Sequence, residues 1–212
     1  MIELKDVSKT LSHREILRHV SLEIKDGESL GLNGPNGSGK TIILKTILGF
    51  VRPSSGEVLV NGVPNRAKTL FATAIGFSLG EEALLPNFSA TKNLELIVLT
   101  TDHELNRQVI REALIRVELN PDDRRPIKFF SLGMKQRVSL AAALINNEPT
   151  MIFDEPTNGI DKKGQLFLRE LFSELWGQHK TLIITSHDET FLNDVTDRIL
   201  EVSAGEVTAS EE

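Results

Sequence analysis

Residues Gly34 to Thr41 read Gly-Pro-Asn-Gly-Ser-Gly-Lys-Thr, a glycine-rich run that ends in Lys-Thr. The chemistry of that pattern is phosphate binding. Gly34, Gly37 and Gly39 let the backbone turn sharply, so that the N–H groups of Asn36, Gly37, Ser38 and Gly39 gather into one hollow at the start of a helix. Lys40 is placed to reach β- and γ-phosphates, and the Thr41 hydroxyl to ligate Mg²⁺. A second group of candidates lies at Asp154-Glu155, where the apolar run Thr150-Met151-Ile152-Phe153 ends in two carboxylates. A buried strand of that kind delivers its acids to a sheet edge. Asp154 then holds Mg²⁺, through water, and Glu155 acts as general base on the water that attacks the γ-phosphate. Taken alone, the acidic pair could simply cap a strand end. A phosphate loop upstream in the same fold makes the catalytic reading the stronger one.

The elements that must position these groups follow from hydrophobic periodicity. Ile2, Leu4 and Val7, then Val20, Leu22 and Ile24, alternate with polar residues as in short strands, broken by turns at Ser12-His13 and Asp26-Gly27. A long helix is expected after the phosphate loop, from Ile43, Leu44, Ile47 and Leu48, closing at Gly49. After a turn at Pro53 to Gly56, Glu57 to Val60 reads as a strand closed by the Asn61-Gly62 turn. Between about Glu81 and Phe130 the pattern changes to helical stripes, Leu94 to Leu99 and Leu105, Val109, Ala113 and Val117. A helix over Leu132 to Ile145, the strand Thr150 to Phe153, a helix over Lys162 to Trp176, a strand over Thr181 to Thr185 and a hairpin from Arg198 to Val207 complete the chain. The expected fold is an α/β core with an antiparallel β section and a helical insertion.

Composition sets bounds. With 212 residues, 40% of them hydrophobic and 25% charged, the chain has the make-up of one globular domain with an insertion. No apolar run approaches the roughly 18 residues of a membrane span, and the start Met1 to Asp6 lacks the pattern of a secretory signal. There is no cysteine, which excludes disulfides and thiol chemistry, and the formal net charge of -6 offers no basic footprint, so no nucleic acid is expected as partner.

Phe130 to Arg137, Phe-Ser-Leu-Gly-Met-Lys-Gln-Arg, separates the many families that share a phosphate loop. Alone it is a helix start with Ser131 as cap. Together with the acidic strand, Asn158-Gly159-Ile160-Asp161 and the later Ser186-His187, in this order and spacing, it resembles the ATP-binding cassette (ABC) ATPase family across nearly the whole chain. The resemblance implies a P-loop NTPase with a RecA-like core, an N-terminal antiparallel β subdomain and an inserted α-helical subdomain. Residues 1–80 and 131–212 would form the core and residues 81–130 the insertion. It implies ATP and Mg²⁺ as ligands and a head-to-tail pair of cassettes, with a homodimer expected. Ser131 and Gly133 of one chain would meet the γ-phosphate held by the other, Asp161 would couple the two sites, and His187 would position water and Glu155. It further implies an integral membrane permease subunit, seated around Gly80 to Asn93, and a place on the cytoplasmic face of the membrane. The Ser-Leu-Gly-Met and Asn-Gly-Ile-Asp motifs look like the bacterial group that exports bacitracin, lantibiotics and drugs.

The chain departs from the family pattern at three places. Ile42 stands where a second threonine usually contacts the α-phosphate. Leu11 stands where an aromatic side chain usually stacks on adenine, which implies relaxed base selectivity. Gly80 stands where the loop into the helical insertion usually carries Gln, with Glu81 beside it as a substitute or as a surface charge. Other classes are weighed against the transporter reading. A soluble ABC ATPase acting on DNA or ribosomes would carry a coiled coil or two cassettes. A small-molecule kinase has no use for the Ser131 motif. A nucleotide-binding regulatory subunit would not need Lys40, Asp154, Glu155 and His187 intact.

Overall fold

The computed structural model describes residues 1–65, 72, 74–101 and 104–209. Two sheets divide the strands between them. In the first, β1 (Ile2–Leu11) and β2 (Arg14–Ile24) pair antiparallel around a two-residue turn at Ser12 and His13, both with positive φ, as tight hairpins require. On its other edge β1 pairs with β4 (Ser55–Val60), which turns through Asn61-Gly62 into β5 (Val63–Pro64), giving the order β2-β1-β4-β5.

The second sheet contains β3 (Ser29–Asn33), β6 (Ile75–Ser78), β7 (Thr150–Phe153), β8 (Thr181–Ser186), β9 (Arg198–Ser203) and β10 (Glu206–Ala209). Its order is β10-β9-β3-β8-β7-β6, and every pairing is parallel except that of β10 with β9. Parallel strands must be covered on both faces, and here the alternation of side chains does that. Met151, Phe153, Leu182 and Ile184 belong to one buried cluster, while Ile152 and Ile183 belong to another.

The second of these clusters lies between the two sheets, where α1 (Lys40–Ile47) sends Ile43, Leu44 and Ile47 against Ile2, Leu4, Val7 and Leu30. On the opposite face pack α4 (Leu132–Leu144), α5 (Lys162–Gly177) and α6 (Glu189–Val195), with Phe153, Phe172 and Phe191 in edge-to-face contact. The same cluster reaches α2 (Ala90–Val98) and α3 (Arg107–Arg116) through Leu94, Ile110, Leu114 and Val117. Each fully buried side chain of this size contributes about 1.5–3 kcal/mol.

Several expectations need correction. The helix after the phosphate loop is short, eight residues, because Gly49 takes φ 83° immediately past its end. β1 and β2 are 10 and 11 residues long rather than short, since irregular pairing between Leu4 and Thr10 lets one hairpin bend without breaking. β4 begins at Ser55, inside the stretch expected to turn. Ile75 to Ser78, where the sequence pattern gave no element, is strand β6. Gly76 there brings the backbone against α4, and a Cβ would overlap the Ala143 carbonyl oxygen. The short helix α6 had no counterpart in the reading of periodicity.

The topology places the candidate groups. β3, β8 and β7 are neighbours, with Asn33 level with Ser186 and Phe153 level with Ile184. The three strands therefore end together, and the residues that follow them, Gly34 to Gly39, Asp154-Glu155 and His187, emerge at one edge. That edge, beyond the carboxyl ends of the strands, is where open parallel sheets hold ligands.

Candidate functional site

The loop between β3 and α1 is held in a conformation that depends on glycine at two points. Gly34 has φ 151° and lies so close to β9 that a Cβ would overlap the Val202 carbonyl oxygen. Gly39 has φ 117°, and a Cβ there would stand 3.0 Å from Leu17 Cδ2. The turn between β9 and β10 clamps the loop from outside, the Gly205 N–H donating to the Ser38 carbonyl at 3.0 Å. No side chain caps α1, so its first N–H groups remain open toward the hollow. Ser38 Oγ is buried there without a hydrogen-bond partner. Lys40, only 5% exposed, donates from Nζ to the carbonyls of Gly34 (2.5 Å) and Pro35 (3.2 Å), and approaches Glu155 Oε1 at 3.1 Å.

The acids are fixed by one threonine that sequence reasoning missed. Thr185 of β8, fully buried, donates from Oγ1 to Asp154 Oδ1 at 2.7 Å and accepts from the Glu155 N–H at 2.9 Å. Thr41 Oγ1 donates to the other Asp154 oxygen, also at 2.7 Å. Glu155 has φ 45°, an unusual conformation for a residue with a side chain, and cross-strand hydrogen bonding holds it. Its Oε2 faces His187 Nδ1 at 2.9 Å. Its Oε1 is buried and makes no hydrogen bond; the Lys40 approach has the distance of an ion pair without the angles of a hydrogen bond. Replacing Thr185 with valine keeps the shape and strands two buried polar groups, so we expect a loss of about 2–4 kcal/mol in urea unfolding. Thr185→Ser should retain both bonds and most of the stability.

A cavity of about 320 Å³ opens over this arrangement. Asn36, Gly37, Gly39, Lys40, Thr41, Ile42 and Glu155 line it, which brings together half of the residues picked from the sequence; Ser38, Asp154 and His187 do not line it. Its outer wall is made by Arg14 and Ile16 of β2. Leu11, expected beside the base, does not line it. That residue closes β1, is 40% exposed and pairs across the hairpin with Arg14, so the tight turn carries the next strand into the position instead.

Ser131, Gly133 and Asp161 also lie off this cavity. Ser131 Oγ caps α4, accepting from the Met134 N–H at 3.2 Å, and Asp161 Oδ1 caps α5, accepting from the Gly164 N–H at 2.8 Å. The two turns pack on one another: a Cβ on Gly133 would stand 3.0 Å from the Gly159 carbonyl oxygen, and one on Gly159 would overlap Leu132. Gly80 adopts φ 75°, ψ -171°, a region nearly reserved for glycine, so glutamine at this position would be strained even though open space surrounds it. Glu81 is turned to α4, where its carboxylate accepts from Lys135 Nζ at 2.6 Å, and it is not part of the cavity wall.

Loop, acids and strand order together define a P-loop α/β protein that binds nucleoside triphosphates. The family model for the ABC transporter matches residues 17–158. The lantibiotic transport ATP-binding protein SrtF of Streptococcus pyogenes is 35% identical over 212 residues, covering 100% of this chain and 91% of its own length. The glutamate/aspartate import ATP-binding protein GltL of Escherichia coli is 33% identical, covering 98% of this chain and 89% of its own. The Nod factor export ATP-binding protein I of Rhizobium etli is 32% identical, covering 96% and 66%. A solved dimeric structure of an ATP-binding cassette in a post-hydrolysis state, bound to ADP and Pi, superposes with a TM-score of 0.90 at 29% identity, covering 100% of this chain and 98% of that one. The chain belongs to the ABC transporter family, as an ATP-binding and ATP-hydrolysing cassette.

Proposed function

We propose that this cassette works as one of two copies that close on ATP and drive a separate membrane permease, in the direction of export. The observation that carries the reading is the division of the site: one chain supplies the phosphate loop and Glu155 to its cavity, with Asp154 bonded to Thr41 and His187 bonded to Glu155, while Ser131 and Gly133 do not line it. A second copy, turned head to tail, presents its Ser131 hydroxyl and Gly133 N–H to the γ-phosphate, and Asp161 links the two halves. The dimeric cassette with ADP and Pi supports this arrangement.

The residues present fit a triphosphate with a divalent cation. Among the described residues Ser38 Oγ is a buried donor without a partner, and Lys40 Nζ is met only by loop carbonyls and Glu155. Thr41 Oγ1 and Asp154 Oδ2 lie 2.7 Å apart, and among the described residues no group of three His, Cys, Asp or Glu could hold a metal. A magnesium ion here would rely on few protein oxygens and take the rest of its shell from phosphate and water. Bound there, it neutralises charge on the phosphates. Asn36 to Gly39 offer N–H groups to the phosphates, Lys40 carries the β- and γ-charge, and Ile42 contributes only apolar contact. Glu155 Oε1 takes the proton of the attacking water, and His187 holds the carboxylate in place from Oε2.

Among the described residues no helix is long and apolar enough to cross a membrane; in this reading the permease does so. Residues 81–130 form the helical insertion that meets it at the cytoplasmic face. Leu85, Phe88 and Phe129, 46%, 43% and 64% exposed, supply apolar contact there. The lantibiotic and Nod factor relatives support export. The test is the mass in solution of the Glu155→Gln chain with Mg²⁺ and ATP, by light scattering. The expected result is a mass of two chains with ATP and one without; a single-chain mass at saturating ATP overturns the shared site.

A further inference from the structure

We infer that Arg14, and not Leu11, is the residue against which the base of the nucleotide stacks. This rests on the reading that the triphosphate lies in the Gly34 to Thr41 loop. Polyphosphate held there leaves the ribose and base to extend outward, and the outer wall of the cavity is Arg14 and Ile16. A second cavity of about 310 Å³ shares Arg14, Ile16 and Gly37 with the first, so the two form one trough that runs from the phosphate loop past the β1–β2 turn. Its floor is rigid. The Arg18 N–H donates to the Gly205 carbonyl at 2.8 Å, and Gly205 lies so close to β2 that a Cβ would overlap the Ile16 carbonyl oxygen.

Among the described residues no aromatic side chain lines either half of the trough. The chain has no tyrosine, and its one tryptophan, Trp176, lies on α5. The Arg14 guanidinium makes no hydrogen bond or ion pair with any described residue; the neighbouring carboxylate of Glu15 is engaged with Arg18 at 3.2 Å. An unpaired guanidinium is planar and delocalised, and it stacks on the face of a base as an aromatic ring does. Ile16 adds apolar surface beside it. A guanidinium face recognises the π-system and not the pattern of donors and acceptors on the base edge, so the trough accepts purines with little preference between adenine and guanine.

The test measures dissociation constants by calorimetry for ATP, GTP and inorganic tripolyphosphate, on the unaltered chain and on Arg14→Ala, Arg14→Lys and Leu11→Ala. Arg14 is exposed and unpaired, so both of its variants should fold, and tripolyphosphate binding confirms an intact loop. Stacking predicts that Arg14→Ala and Arg14→Lys each weaken ATP and GTP about 10-fold and leave tripolyphosphate unchanged. Leu11→Ala should bind all three ligands like the unaltered chain. Unchanged ATP affinity in Arg14→Ala overturns the inference. So does restoration by lysine, which keeps the charge without the plane, or an equal loss for tripolyphosphate, which marks a phosphate contact. If the unaltered chain binds neither ATP nor tripolyphosphate, the loop reading itself falls, and the inference with it.

Discussion

Replacing Glu155 with glutamine should lower ATP turnover by about 10²- to 10⁴-fold while the protein still binds ATP. The amide has the size of the carboxylate and can still meet His187 Nδ1, which lies 2.9 Å from Oε2. What it loses is the ability to accept a proton at Oε1, the buried oxygen that makes no hydrogen bond. Binding is spared because, in the proposed site, the phosphate contacts would come from other groups, the N–H groups of the loop and Lys40. Removing a negative charge 3.1 Å from Lys40 Nζ also leaves that ammonium freer to serve the phosphates. Phosphate release and ATP retention, measured on the same preparation, check both halves. A variant that hydrolyses at the unaltered rate would show that the base lies elsewhere.

Gly34→Ala should abolish ATP binding and lower the stability of the fold by about 2–5 kcal/mol. Two costs add at this position. The backbone sits at φ 151°, where an L side chain is strained, and the new methyl group would overlap the carbonyl oxygen of Val202. That carbonyl belongs to β9, which is hydrogen-bonded to β3 in register, Leu32 with Leu200 and Asn33 with Glu201, so it cannot withdraw without breaking the sheet. Gly37 is the control. It has φ 81° with open space around it, and Gly37→Ala should cost only about 1 kcal/mol of backbone strain. Urea unfolding and ATP titration compare the two; equal effects would mean that the approach of loop to β9 is not what shapes the site.

Much of this site is legible in sequence because strong local signals coincide there. The strand Thr150–Phe153 has the bounds read from its residues, since a fully buried parallel strand is one apolar run, here stopped by Pro149 before it and by two acids after it. The loop at Gly34 is legible because three glycines, a lysine and a threonine at fixed spacing leave few other uses. Where tertiary contact decides, the sequence is silent. Gly76 interrupts the pattern of β6 because α4 presses on it, and nothing near residue 76 announces that helix. Thr185 looks like one more buried strand residue until β7 and β8 are set side by side. Arg14 lines the cavity and Leu11 does not, a difference set by the path of the hairpin rather than by either residue's neighbours in sequence. Ser131 reads locally as a helix cap and is one within the chain; Asp161, picked only through the family resemblance, caps α5 as well. Their place in a shared site came from the family resemblance and remains a matter of where a second copy sits.

That placement is tested most directly by mixing two defective chains. Lys40→Ala removes the charge that grips phosphate, and Ser131→Arg blocks the turn offered to the partner, so each variant alone should hydrolyse almost no ATP. In a pair made of one of each, one site draws its loop from the Ser131→Arg chain and its Ser131 turn from the Lys40→Ala chain, and that site is whole. ATP hydrolysis by the mixture should therefore rise well above the sum of the two separate preparations and peak near equal amounts. A mixture that hydrolyses no more than that sum, at every ratio, would contradict a site shared between chains.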